Sequence, residues 1–497
     1  MSTTPFPRSR RVEAPDRLDL DAKKPFMTPL WRSSATEFLR LIVTGKPAMP
    51  DGAKLAPSPK APDPLLGHLR LGRGEPLTFF TRWQHEHGDI VRLRLAGITA
   101  HLIGSPRLAR YILQEENKRF SKPIQGRRNL SEILGNGLLV AEGNFWLRQR
   151  RIAQPAFHKK RIDGFGESMV DASEALADTW DRRGDQSFDV ARDMMHLTLR
   201  IVQETLLGTT DSTNSDAIGD AVTAVLEEVE SRFRRLFRPP PEAPLVGNPK
   251  FVAAVKLLDD TVQTIIDERR RSGVMGNDLL SMLLEARDEE TGEGMDDRQL
   301  RDEVMTMFLA GHETTANALS WTFYLLGQHL EVADRMREEL FEVLGDRRAT
   351  AADMRSLPYT KAVFQEAMRL YPPAWIMARA PVEDEVIDGY FVPAGSRMFI
   401  SPWVLHRNPD VWENPLAFDP RRFLGKPPDR FAYMPFGGGP RLCIGNAFAM
   451  MEGVLVLATL GRRAKLELIP GHPVEPEPLV TLRPKHGVHV RARKVTS

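Results

Sequence analysis

Cysteine occurs once in this chain of 497 residues, in the run Phe436-Gly437-Gly438-Gly439-Pro440-Arg441-Leu442-Cys443-Ile444-Gly445. A thiolate there could ligate a metal or act as a nucleophile, and either use needs its charge stabilised. Backbone N–H groups of a glycine-rich turn can do this, as can the positive end of a helix expected over Asn446-Ala447-Phe448-Ala449-Met450-Met451-Glu452. A nucleophile would also want a histidine base, which spacing does not single out among 12 histidines. One cysteine rules out an intrachain disulfide, and zinc or iron–sulfur sites ordinarily use several. Taken alone, an inert buried cysteine is the commoner case. The glycine spacing matches neither a phosphate loop nor a dinucleotide fingerprint.

Three other groups have spacings that could serve chemistry. Glu366 and Arg369 lie three apart on a helical pattern, so they share a face, and apolar Val363, Phe364, Met368 and Leu370 around them predict a buried pair. Gly311 interrupts a long helical run, which predicts close approach by another group. Thr314, four residues after Ala310, could bond that carbonyl and open or bend the helix beside the acid Glu313. Trp146 and Arg150 are four apart and share a third helical face.

These residues need elements to hold them. Apolar spacings of three and four predict helices over 159–183, 190–208, 215–237, 250–272, 296–329, 330–345 and 446–462. Alternation predicts a hairpin over 89–105, strands within 386–402, and a closing hairpin over Thr481–Lys494. Residues 1–65 read as a proline-rich surface segment and 66–497 as one domain, mainly α with a smaller β-rich region. The basic, proline-rich stretch 232–250 is a surface connection or a lid. Hydrophobic residues make up 42% and charged residues 27%, and the net charge of +2 gives no reason to expect nucleic acid. No run reaches the roughly 18 apolar residues of a membrane span, and no signal-peptide core is seen, so a cytoplasmic protein is expected.

The Phe436–Gly445 run resembles the haem-binding signature Phe-Gly-x-Gly-x-Arg-x-Cys-x-Gly of the cytochrome P450 family, matching every fixed position. Glu366 and Arg369 resemble that family's Glu-x-x-Arg pair, with Arg422 in Pro420-Arg421-Arg422-Phe423 as its third member. Ala310–Thr315 resembles the oxygen-binding motif, and Trp146 with Arg150 resembles Trp-x-x-x-Arg. The resemblance spans roughly residues 65–495 in order. It implies a triangular-prism fold with a single haem domain, haem b as cofactor, and Cys443 as the iron ligand. It assigns proton delivery to Glu313 and Thr314, and a structural role to Glu366, Arg369 and Arg422. Trp146, Arg150, Arg379, His406, Phe436, Arg441 and Gly445 become cofactor-binding residues, several of them facing the propionates. Phe308, Leu309, Ala310, Trp375, Ile376 and Val480 become the substrate pocket.

The activity so implied is insertion of one oxygen atom from O2 into a lipophilic substrate such as a fatty acid or terpenoid. Electrons would come from NAD(P)H only indirectly, through a reductase and a ferredoxin or flavodoxin docking on a monomer. Arg148, Arg151, Lys159, Lys160 and Arg161 form the basic patch expected to receive that partner. A haem-thiolate peroxygenase or isomerase, or a haem sensor, would share the cysteine; Glu313 and Thr314 favour the monooxygenase.

Overall fold

The computed structural model describes residues 49–495 except 62, 65, 70–74, 96–97, 209–214 and 235–247. Most of the expected proline-rich segment (1–48) and most of the proline-rich connection lie outside the described residues. The helices that bear on the site are α1 (Gly143–Ala153), α2 (Val190–Val202), α3 (Asp297–Gln328), α4 (Pro358–Leu370) and α5 (Asn446–Arg463).

Helix α3 starts at a capping box: Asp296 accepts from the Gln299 N–H (2.8 Å) and Gln299 accepts from the Asp296 N–H (3.3 Å). Its 32 residues span about 48 Å. Its buried positions run from Leu300 to Leu326 on every side, which marks a central helix rather than a surface one. Helices α2, α4 and α5 pack against it. At its far end Trp321 stacks flat on Tyr371, 4.0 Å between ring centres, joining α3 to the end of α4.

Two expected helices are broken. The run 159–183 divides into Lys159–Asp163 and Gly166–Arg183. The run 190–208 leaves α geometry after Val202, makes one wider π turn over Gln203–Leu207, and stops at Gly208, whose φ of +63° suits glycine.

The 89–105 hairpin is present as β1 (Ile90–Leu95) and β2 (Ile98–Ile103). With β3 (Phe120–Ser121), β4 (Met377–Pro381) and β5 (Arg397–Ile400) it forms one sheet in the order β1-β2-β5-β4-β3. The β2–β5 pairing is parallel, so strands from both ends of the chain meet in one sheet. Residues before the expected boundary at 65 join this region: the Pro57 carbonyl accepts from Arg92 N–H (2.7 Å), and Ala56 is buried.

The closing hairpin is not formed. Leu482–Pro484 pairs with Pro476–Pro478, whereas His489–Lys494 pairs with Ala464–Leu468 in another sheet. Alternation along a strand reveals which face is buried but not which strand lies beside it. The outcome matters for the site: the preceding turn, 479–482, is free to reach α3, where the Leu482 carbonyl accepts from Trp321 Nε1 (3.0 Å).

Beneath the cysteine loop, Arg369 and Glu366 are completely buried and paired through two contacts, Nε to Oε2 (2.7 Å) and Nη2 to Oε1 (2.8 Å). Arg369 also donates to the carbonyls of His406 (2.8 Å), Pro415 (2.7 Å) and Ala417 (2.9 Å). Arg422 comes within 3.3 Å of Glu366 Oε1, which completes the expected trio. Every charge in this cluster has a partner, as burial requires.

Candidate functional site

The Phe436–Gly445 loop folds back on itself, with Cys443 N–H donating to the Phe436 carbonyl (3.0 Å). Gly439 has φ +67°, and a methyl group there would fall 1.8 Å from the Leu113 carbonyl oxygen, so no other residue fits. The turn delivers Cys443 just before the N-terminus of α5, where its sulfur accepts a backbone hydrogen bond from Gly445. Cys443 is accessible only because it faces a cavity; the protein otherwise surrounds it. Burial pushes the thiol up, while the Gly445 bond and the Arg150 charge pull it down.

That cavity measures about 1290 Å³. Ligand pockets commonly hold roughly 300–1,000 Å³, so there is room for a large cofactor and a second molecule. Phe436, Gly437, Cys443 and Phe448 line one wall, and Leu309, Ala310, Gly311 and Thr314 of α3 line another. Trp375, Ile376 and Val480 also face it. Phe308 does not: it is 2% exposed and packs in the core among α3's outer neighbours, one helical step away from the cavity face.

Cations gather where these walls meet. Lys122, Arg127, Arg150, Arg379 and Arg441 all line the cavity, with the Trp146 ring among them. Arg441 lies over the Trp146 ring (3.8 Å) and pairs with Glu142 (2.9 Å). Arg150 donates to the Leu442 carbonyl (2.9 Å), bracing the cysteine loop. Arg379 hydrogen-bonds only the Ala378 carbonyl among the described residues, and its burial pulls its pKa down. A half-buried guanidinium so poorly partnered, facing a cavity, calls for an anion. A flat cofactor with two carboxylates and a metal centre suits this donor set: one sulfur ligand, apolar walls and a cationic edge.

Lys122 is a member of this edge that spacing did not reveal. Burial, then the charge of Arg441, pushes its pKa down to about 7. A bound carboxylate would push it back towards the ordinary 10.5, so anion binding takes up a proton and weakens as pH rises above 7. If the cofactor is the haem that the resemblance implies, its release to apomyoglobin should be faster at pH 9 than at pH 6.5, and Lys122→Met should flatten the difference. Equal release at both pH values in the wild-type protein would contradict the assignment of Lys122.

His406 is not part of the edge. Its Nδ1 contacts the Arg369 carbonyl (3.1 Å), its Nε2 accepts from Met434 N–H (2.9 Å), and the ring is fully buried away from the cavity. Burial and Arg369 hold it neutral, pushed down to about 3. It joins the Glu366–Arg369 cluster to the start of the cysteine loop.

On α3, Thr314 Oγ1 donates to the Ala310 carbonyl (2.8 Å) as expected, yet the helix continues without interruption. At Gly311 a methyl group would meet Val202 at 3.5 Å, an ordinary contact, so protein packing does not demand the glycine. Glu313 is buried, and Thr481 Oγ1 donates to its Oε1 (2.7 Å) while Asn317 Nδ2 donates to Thr481 (3.1 Å). Burial raises the Glu313 carboxyl, and the Thr481 bond partly offsets this. Thr481 also lines the cavity; separated from Glu313 by 168 residues, it had no local signal.

The expected basic patch is largely neutralised. Arg148 pairs with Glu293 (3.2 Å), Arg151 with Asp288 (2.9 Å), and Lys159 with Asp163 (2.7 Å). Lys160 and Arg161 make no ion pair among the described residues.

Comparison with known proteins agrees with this chemistry. The family model described as "Cytochrome P450" matches residues 57–490. "Cyclooctatin synthase" of Streptomyces melanosporofaciens is 37% identical over 427 residues, covering 84% of this chain and 92% of that protein. "Cyclooctat-9-en-7-ol 5-monooxygenase" of the same organism is 37% identical over 412 residues, covering 82% and 89%. "Pentalenene oxygenase" of Streptomyces avermitilis is 32% identical over 428 residues, covering 84% and 93%.

Proposed function

The chain belongs to the cytochrome P450 family, and from that premise we propose that it oxygenates a terpenoid. As a member of that family it is a haem-dependent monooxygenase for a lipophilic substrate, supplied with electrons by a redox partner. Among the described residues no helix is long and apolar enough to cross a membrane. The terpenoid assignment draws on the printed activities of the two oxygenases above and on the mainly apolar lining of a cavity of about 1290 Å³. The observation that carries the reading is the Cys443 thiol opening into a cavity whose other wall holds Thr314 and Glu313.

Haem, when bound, supplies the dioxygen activation; the chain's residues bind it, exclude water and manage protons. Cys443 would hold the haem iron through its sulfur, as a thiolate. The Gly445 N–H, the Arg150 charge and the N-terminus of α5 stabilise that anion against the cost of burial. Lys122, Trp146, Arg150, Arg379 and Arg441, which line the cavity, would hold the propionates. Inserting one oxygen atom and releasing the other as water consumes two electrons and two protons. Glu313, whose carboxyl burial raises above its ordinary value, supplies protons at the cavity wall, and the Thr314 hydroxyl relays them. The protein works as a cytoplasmic monomer reduced by a ferredoxin or flavodoxin, whose own reductase draws on NAD(P)H.

Turnover separates this reading from its rivals. With NAD(P)H, surrogate ferredoxin and reductase, a panel of cyclic terpene alcohols should give products carrying one atom from isotopically labelled dioxygen. Product formed only with peroxide would point to a peroxygenase. Conversion of fatty acids with no terpenoid turnover would refute the substrate class.

A further inference from the structure

Residues 135–141, which lead into α1, form neither helix nor strand, yet both sides of their backbone are tied down. On one side the Asn136 N–H donates to Asp302 Oδ2 (2.8 Å) and the Leu138 N–H to Glu303 Oε2 (3.0 Å). Both acids are on α3 and are only 5% and 1% exposed. On the other side Lys122 donates to the Leu139 carbonyl, Arg127 to Val140 (3.2 Å) and Arg441 to Ala141 (2.7 Å). The segment lies directly on α3: a methyl group at Gly135 would fall 2.0 Å from Asp302 Oδ1, and one at Gly137 would fall 2.1 Å from Thr306 Oγ1.

Surface connections usually hold fewer bonds and open easily. Here two acids are buried at a desolvation cost; Glu303 gains the Leu138 amide in return, and for Asp302 the Asn136 amide adds to an ion pair with Arg301 (2.9 Å). The segment they fix carries Leu138 and Leu139, which line the cavity together with Thr306.

Resting on the cofactor and substrate reading above, we propose that Asp302 and Glu303 are positioning residues for the oxygenation. They hold Leu138 and Leu139 as a fixed cavity wall, and the enzyme thereby sorts lipophilic ligands by shape. A wall tied through its backbone cannot move aside for a poorly shaped ligand, so isomers of equal hydrophobicity differ in affinity.

The test uses holoenzyme and a panel of isomeric phenylimidazoles, titrated by their haem absorbance shift, alongside hydrogen exchange of residues 136–141. In Glu303→Ala and Asp302→Ala exchange should rise, and the spread of dissociation constants across the isomers should contract at least about threefold. Glu303→Gln, which keeps an oxygen acceptor for the Leu138 N–H, should restore the wild-type spread. Gly137→Ala leaves both acid side chains in place but sets a methyl group against Thr306 Oγ1 and the Asp302 backbone carbonyl, so it displaces the segment and should contract the spread too; it decides the question if the alanine variants do not fold. Raised exchange with an unchanged spread would reduce the acids to a structural role, and unchanged exchange would remove the clamp itself. A thiolate-type carbon monoxide spectrum in the same variants keeps the cofactor reading standing if this proposal falls.

Discussion

Arg369→Ala is expected to give little folded protein and none that retains haem. Its guanidinium has no solvent contact, satisfies both oxygens of Glu366 and donates to three carbonyls between His406 and Ala417. Removing it leaves Glu366 with only Arg422 and the Asp419 N–H (2.9 Å), and leaves the three carbonyls short of donors. Breaking a buried pair costs about 3–5 kcal/mol, and each unsatisfied carbonyl adds about 1–3 kcal/mol. Against a total stability of about 5–15 kcal/mol that loss is decisive. Arg369→Lys should rescue little, because an ammonium cannot reproduce the planar fork. Denaturant midpoints and the haem-to-protein ratio measure both variants. A wild-type midpoint with full haem in Arg369→Ala would remove the cluster from the account.

The second large effect concerns proton supply. Glu313→Gln should lower product formed per NAD(P)H consumed by roughly 10²-fold or more, the usual scale of general acid catalysis, without loss of folding. Thr481→Val tests how the acid is tuned. Burial raises the Glu313 carboxyl and the Thr481 hydroxyl lowers it, so losing that hydroxyl raises it further. The proton-bearing form then survives to higher pH, and the falling limb of product formation moves to higher pH. Glu313→Gln should abolish that limb. A Thr481→Val profile that coincides with wild type would show that Glu313 is not the titrating group.

What the sequence revealed was local. The cysteine loop, the Glu366–Arg369 pair and the Ala310–Thr314 contact each sit within one turn or one helical face, so spacing alone fixes their geometry. Arg422 needed the family pattern, because nothing near it points to Glu366. Lys122, Thr481 and the Asp302–Glu303 clamp were invisible because each acts across chain separations of 17 to 168 residues. His406 lay in the right stretch, but both ring nitrogens are taken by backbone atoms that sequence does not place. The arginines of α1 read as a docking patch until acids from residues 288–293 came to meet them. The final strands were recognised as strands, but their partners were misjudged, since alternation carries no register.

The central claim is that Cys443, held by a glycine turn at the start of α5, presents a thiolate to haem iron. The reduced, carbon monoxide-bound protein measures this directly. The account predicts the red-shifted absorption band of a thiolate-ligated haem in the wild-type protein, and its loss in Cys443→Ser. A wild-type spectrum without that band, or a band that persists in Cys443→Ser, would contradict it.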